Sequence, residues 1–301
     1  MEYTKKINKV IDYITHHIDS PLPVEKLASV AGLSEYHFHR VFRAEVGETV
    51  AKYILRLRLE KAGRQLLRGN DVLIAEIAAS AGFSSTALFC RNFKRRFGIT
   101  PQQYRSRNSE RNSKNNQSDS SKREAPYTYT HYFCPCKTIK IGEKTMNCTF
   151  EVKTLEEKHV IYARHRGAYN EMGEAFQRLM QWAYPRGLVK EAPRFGAAYL
   201  DDPAITPVDK LQSDAFLVVD EDVKTDGEIG KYTIPGGKYA VGRFEIAMEE
   251  FGDAWASMCK LIADRGFVSV DGYHYEMYLN NFDEHPEKKH IVDICIPVQP
   301  L

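Results

Sequence analysis

The chain has 301 residues, 43% of them hydrophobic, which suits about two domains with cores of their own. No stretch approaches the roughly 18 apolar residues of a membrane span, and residues 1–19 mix charges with apolar positions at helical spacing rather than reading as a secretion signal, so a cytoplasmic location is expected. The net charge of +2 hides two opposed halves: residues 1–125 carry 22 Lys and Arg against 13 Asp and Glu, residues 126–301 carry 20 against 27, and only the first half suits a polyanion.

The basic half repeats itself. Ala28-Ser-Val-Ala31-Gly32-Leu33-Ser34 matches Ala78-Ala-Ser-Ala81-Gly82-Phe83-Ser84 at an offset of 50. After one inserted residue the match resumes at 51, with Phe38, Arg40, Phe42, Arg43 and Gly47 against Phe89, Arg91, Phe93, Lys94 and Gly98. Each copy reads as a small-residue helix, a tight turn at Gly32 or Gly82, and a second helix with Ser34 or Ser84 as N-cap. Phe38, Val41 and Phe42 form the inner face of the first such helix. Tyr36, His37, His39, Arg40 and Arg43 then face outward, where they suit bases and phosphates. Between the copies, Val50–Arg68 reads as one long helix with Ile54, Leu57, Ala62 and Leu66 inward. Such a connector sets two reading helices for successive major-groove turns, about 34 Å apart.

Three segments here resemble the AraC/XylS regulators: Ser34-Glu-Tyr-His-Phe-His-Arg-Val-Phe-Arg43, Tyr53-Ile-Leu-Arg-Leu-Arg-Leu59 and Phe93-Lys-Arg-Arg-Phe-Gly-Ile-Thr-Pro-Gln-Gln-Tyr-Arg105. The resemblance covers about residues 5–107. It implies that Tyr36, His39 and Arg40 contact bases or their backbone, and that Thr86, Ala87, Cys90 and Arg91 occupy the equivalent face of the second unit. Ala87 and Leu88 stand where the family often has polar residues. Base reading is therefore expected mainly from the first unit, with Arg91, Lys94 and Arg95 chiefly on phosphates.

Residues 108–125 are dominated by Ser, Asn, Lys and Arg and hold almost nothing apolar, the composition of a flexible linker. The expected division is thus 1–107, 108–125 and 126–301. The six cysteines are scattered and read as reduced thiols. Cys134-Pro-Cys136 with His131 lacks a second ligand pair at zinc spacing, so neither a metal nor another cofactor is expected.

The acidic half also repeats, at an offset of 79 without a gap. Arg164, Ala168, Glu171, Gly173, Ala175, Arg186, Gly187, Tyr199, Pro207, Asp214 and Val219 recur as Arg243, Ala247, Glu250, Gly252, Ala254, Arg265, Gly266, Tyr278, Pro286, Asp293 and Val298, and Phe176 maps to Trp255. Each copy reads as strand, helix, strand, strand. The first strands are 159–165 and 239–244, and the helices are 169–186 and 248–265, each stopped by Gly. Two copies predict an α+β domain, one antiparallel sheet with helices on a single face and pseudo-two-fold symmetry. In His274–Asn280 alternate residues share a face: Tyr275, Met277 and Leu279 are expected under the helices, with His274, Glu276 and Tyr278 on the other face. Glu276 breaks the symmetry, because Ala197 holds its place in the first copy. A carboxylate among Tyr162, Tyr199, Tyr278 and Trp255 suits an organic cation.

This half resembles the GyrI-like effector-binding domains through Ile161-Tyr-Ala-Arg-His165, Gly187, Asp201-Asp202-Pro203, Ser213-Asp214-Ala215, Pro235-Gly-Gly-Lys-Tyr-Ala240, Tyr275-Glu-Met-Tyr-Leu-Asn280 and Asp293-Ile-Cys-Ile-Pro297. The likeness spans about residues 147–299. It implies a groove between the repeats for small, often cationic or amphipathic molecules, lined at the position of Glu276, with Tyr278, Tyr199, Tyr162, Trp255 and His274 as companions. Together the two halves are expected to form a ligand-responsive regulator of promoter DNA, in contact with RNA polymerase and without a membrane partner. The alternatives are a small-molecule hydrolase using Glu276 with Tyr278 or Trp255, and a drug-sequestering protein. No second carboxylate or nucleophile–base pair stands at a telling spacing, so an enzyme is not expected.

Overall fold

The structure is a computed structural model describing residues 2–68, 72–106, 146, 148–190, 192–203, 206–220 and 222–300. The linker and Cys134-Pro-Cys136 with His131 lie outside the described residues. The chain divides into two units, one helical and one built on a sheet. No described helix is long and apolar enough to cross a membrane.

The helical unit runs α1 (Glu2–His16), α2 (Val24–Ala31), α3 (Glu35–Val46), α4 (Val50–Arg68), α5 (Ile74–Ser80), α6 (Thr86–Phe97) and α7 (101–106). Two cores share the connector α4. Its first half packs Tyr53 against Ile7, Ile11, Leu27, Phe38 and Phe42. Its second half packs Leu59, Ala62 and Leu66 against Ile77, Phe89 and Phe93. Ile54 and Leu57, expected inward, are half-buried against the first core. The repeat therefore becomes two small cores strung on one long helix, as the sequence pattern predicts. Ser34 caps α3 by accepting from the His37 amide at 3.4 Å. The second cap is Ser85, not the expected Ser84, and accepts from the Leu88 amide at 3.2 Å. The inserted residue lies before the cap, so Ser85, at the offset of 51, inherits the position.

The second unit holds β1 (Cys148–Leu155), β2 (Lys158–Arg166), α8 (Gly173–Ala183), β3 (Phe195–Tyr199), β4 (Gln212–Val219), β5 (Gly230–Ile234), β6 (Gly237–Ile246), α9 (Phe251–Asp264), β7 (Phe267–Ser269), β8 (His274–Tyr278) and β9 (His290–Pro300). Every described pairing is antiparallel, in the order β1-β6-β9-β8-β3-β4-β2-β5, with β7 beside β9. The repeat is β2-α8-β3-β4 and β6-α9-β8-β9. Short 3-10 turns at Tyr169–Glu171 and Met248–Glu250 begin the two predicted helical stretches. The strands not predicted are β1 and β5, which close the two edges of the sheet, and β7, which lies beside β9. β1 does alternate, with Cys148, Phe150 and Val152 packed on the core between Thr149, Glu151 and Lys153, so its period of two was legible in the sequence, whereas β5 is short and mostly half-buried without a clear apolar period.

Both helices lie on one face. Below α8 are Ile161, Ala163, Ala197, Ala215 and Leu217, and below α9 are Ala240, Phe244, Val292, Ile294 and Ile296. Tyr162, Ala198, Phe216, Tyr239, Val241, Tyr275 and Cys295 form a separate cluster on the opposite face. The expected facing of β8 is thereby reversed: Tyr275 and Met277 look away from the helices, while Glu276 and Tyr278 lie beneath them. A period of two fixes which residues share a face but not which face the helices cover.

The repeats meet where β3 pairs with β8. Gly196 pairs with Met277, and Ala198 with Tyr275. The offset of 79 carries Gly196 to Tyr275 and Ala198 to Met277, so these two pairs exchange. Ala197 alone in this ladder pairs with its own repeat mate, Glu276. The pseudo-two-fold axis thus passes through the Ala197–Glu276 pair.

Candidate ligand groove and DNA-reading faces

Glu276 is completely buried. Its Oε1 accepts from the indole Nε1 of Trp255 at 2.6 Å, and its Oε2 accepts from the hydroxyl of Tyr278 at 2.7 Å. Tyr199 donates a third bond. Burial pushes the Glu276 carboxyl above the usual carboxylate range, while the bonds from Trp255, Tyr278 and Tyr199 pull it back. Burial, followed by the neighbouring Glu276 charge, holds the Tyr199 and Tyr278 phenols well above theirs. A dry carboxylate within a ring of donors is a strong point charge facing aromatic surfaces, which can hold an organic cation.

Each element that supplies this cluster does so for a local reason. Tyr278 follows Glu276 by two positions on β8, so the two share a face. Tyr199 sits at the end of β3, opposite His274 in the ladder. Trp255 stands on the buried face of α9. Tyr199 and Trp255 meet edge to face with centroids 5.4 Å apart, and Phe176 of α8 meets Tyr278 in the same way at 5.8 Å. Tyr169 packs on Tyr199 at 4.7 Å, edge to face.

Of the residues expected here, Glu276, Tyr278, Tyr199 and Trp255 come together and two do not. Tyr162 belongs to the cluster on the opposite face, because β2 turns its odd-numbered residues to the helices. There it meets Tyr232 at a tilt, with centroids 5.0 Å apart, and its ring centre lies 4.9 Å from the Arg164 guanidinium. His274 bonds instead to Ser269 Oγ at 3.0 Å and to the Gly272 carbonyl at 3.1 Å. Phe176 and Tyr169 were missed. The signal for Phe176 was available in its repeat match to Trp255.

On the helical unit, Tyr36, His39, Arg40 and Arg43 are exposed along α3 and His37 is half-buried. Tyr36, 74% exposed, lies under the Arg40 guanidinium at 5.8 Å. His37 Nε2 and the Tyr3 hydroxyl of α1 share a hydrogen bond of 3.0 Å, so α1 braces α3. No motif pointed to Tyr3. On α6, Ala87, Arg91, Lys94 and Arg95 are exposed, while Thr86 and Cys90 are half-buried. Arg95 bonds the Asn92 side chain at 2.6 Å and so lies along its own helix.

The two helix pairs are tied by more than the connector. Arg58 of α4 donates to the carbonyls of Ile18 at 3.0 Å and Ser20 at 2.7 Å, after α1. The turn glycine of the second pair, Gly82, packs on this junction: a Cβ there would lie 2.5 Å from the Ile18 carbonyl oxygen and 2.8 Å from Arg58 Nε. Within the helical unit, this junction adds a second point of attachment between the two helix pairs, beyond α4.

Comparison with known proteins agrees with this geometry. Residues 149–299 match the GyrI-like small molecule binding domain, and residues 27–107 match a helix-turn-helix domain. The chain is 38% identical over 105 residues to the uncharacterized HTH-type transcriptional regulator YbfP of Bacillus subtilis, covering 35% of each chain. It is 36% identical over 107 residues to the regulatory protein SoxS of Salmonella typhimurium, covering 36% of this chain and 99% of SoxS. The chain is similar to the crystal structure of the EcmrR C-terminal domain, with 13% identity, a TM-score of 0.43, and coverage of 52% of this chain and 100% of that one. The chain spans about a third of the length of the first curated relatives it matches. The chain belongs to the GyrI-like small molecule binding domain family, here carried behind an AraC-type helix-turn-helix domain.

Proposed function

We propose that this protein is a transcription regulator that binds promoter DNA through α3 and α6 and senses a small organic cation, aromatic or amphipathic, in the groove around Glu276. The buried Glu276 carboxylate, ringed by Trp255, Tyr199 and Tyr278, carries the sensing half of this reading. The exposed Tyr36, His39, Arg40 and Arg43 on a capped, glycine-turned helix support the DNA half. Base contacts come mainly from α3. On α6, Arg91 and Lys94 serve phosphates, and Arg95 does so once released from Asn92. Ligand occupancy changes promoter engagement or contact with RNA polymerase.

Two measurements test it. In gel-shift titrations on the chain's own promoter, Arg40→Ala is expected to cost about 1–3 kcal/mol of specific affinity, or roughly 5–150-fold. Unchanged sequence-specific binding would remove Arg40 from the reading face. In a thermal-shift screen of cationic dyes, wild type is expected to be stabilised and Glu276→Gln is not. Equal shifts would remove Glu276 from the site. The raised carboxyl of Glu276 beside Tyr278 also fits general acid–base work, so hydrolysis is the second reading; conversion of a bound ligand seen by mass spectrometry would favour it.

A further inference from the structure

The four rings around Glu276 fall into two pairs related by the repeat, while the charge between them is single. Repeat matching carries Phe176 to Trp255 and Tyr199 to Tyr278. The two edge-to-face pairs, Phe176–Tyr278 and Tyr199–Trp255, are therefore exchanged by the pseudo-two-fold axis. Each pair joins the helix of one repeat to a strand of the other. The axis between them runs through Ala197 and Glu276. A second carboxylate at 197 would stand directly opposite the first in a dry ladder, where like charges destabilise. One charge at the centre is thus what the symmetry permits. The partners follow the same logic: where the strand bears Glu276 its helix bears the donor Trp255, and where it bears Ala197 its helix bears Phe176, which has no donor.

Two aromatic pairs on either side of a single central carboxylate define a ligand shape. Resting on the cation reading above, we propose that the groove selects monocations whose charge lies between two apolar arms, and disfavours those whose charge lies at one end. The cation takes the carboxylate face now held by the Tyr199 and Tyr278 hydroxyls. One arm lies along Phe176 and Tyr278, the other along Tyr199 and Trp255. A terminal cation that reaches Glu276 fills only one of these pairs and leaves the other without a partner.

Two isomers of one formula and one charge test this on the full chain by isothermal titration calorimetry. Dibenzyldimethylammonium places its nitrogen between two benzyl arms. (Biphenyl-4-ylmethyl)trimethylammonium places it at the end of a rod. The first is expected to bind about tenfold more tightly, the scale of one added aromatic contact. Phe176→Leu is expected to pull that ratio toward one by weakening the two-armed isomer alone. Equal affinities, or tighter binding of the rod, with both lost in Glu276→Gln, would overturn the two-armed selection and leave the cation reading standing. Binding of neither isomer, or binding indifferent to Glu276→Gln, would overturn both. The isomer comparison is made on wild type and so does not depend on the folding of a variant.

Discussion

Glu276 is a residue whose burial opposes stability. Burial raises its carboxyl, so in the interval between its ordinary value and its folded-state value the native chain holds a proton that the unfolded chain has released. Stability from this group therefore falls as pH rises through that interval and stays low above it. Glu276→Gln is expected to be more stable than wild type at pH 7, read as a higher Tm. The gain should vanish as pH drops toward the ordinary carboxylate value. Unfolding scans at several pH values read this directly; a variant less stable at pH 7 would mean that the bonds from Trp255, Tyr199 and Tyr278 outweigh desolvation. The same proton competes with a cationic ligand. Affinity for a permanent monocation is expected to weaken as pH falls through the folded-state value, and a flat profile would show that the bound cation does not meet the carboxylate.

At the scale of elements, the two turn glycines allow a controlled comparison. Both adopt left-handed backbone, with φ of 62° at Gly32 and 81° at Gly82. A Cβ at Gly32 meets nothing within 4 Å, whereas at Gly82 it meets the Ile18 carbonyl and Arg58. Gly32→Ala is expected to cost about 1 kcal/mol from backbone strain alone. Gly82→Ala should cost more and should also loosen DNA binding, because it pries apart the junction of the two helix pairs. Urea unfolding and gel shifts on the two variants separate strain from displacement; equal costs would show that the junction gives way freely. The sequence marked both glycines as turns, since the repeat and the following caps made the local geometry plain. It did not mark the Arg58 junction, because contacts between residues forty positions apart leave no local pattern.

The duplicated sheet supplies a second internal control. Arg164 and Asp214 form a two-bond ion pair with side chains 3% and 0% exposed, and their repeat mates Arg243 and Asp293 form the same pair at 53% and 13%. Removing one partner of a buried pair strands a charge, so Asp214→Ala is expected to cost about 3–5 kcal/mol. Asp293→Ala, in the solvated copy, is expected to cost about 1 kcal/mol or less. Equal losses by chemical denaturation would mean that burial does not set the difference. Identical sequence signals thus acquire different energetic roles, because the two ends of the sheet are covered differently.

For the whole molecule, much was legible before any fold was known. The two offsets, the change of charge sign, the glycine stops and the connector helix are periodic or compositional features, and such features survive being read one residue at a time. They yielded the all-α half and the α+β half, and singled out Glu276 as the residue where a repeat fails to repeat. The sequence by itself determined which residues travel together on a strand or helix face, because backbone geometry fixes those periods. Only the tertiary structure decided which face of β8 the helices cover, which puts Tyr162 on the face opposite Glu276, brings Phe176 against Tyr278 and sets Glu276 on the axis between the copies. That choice depends on how α8 and α9 close over the sheet. It is made by the burial of many apolar side chains at once, and no local segment of the chain records it.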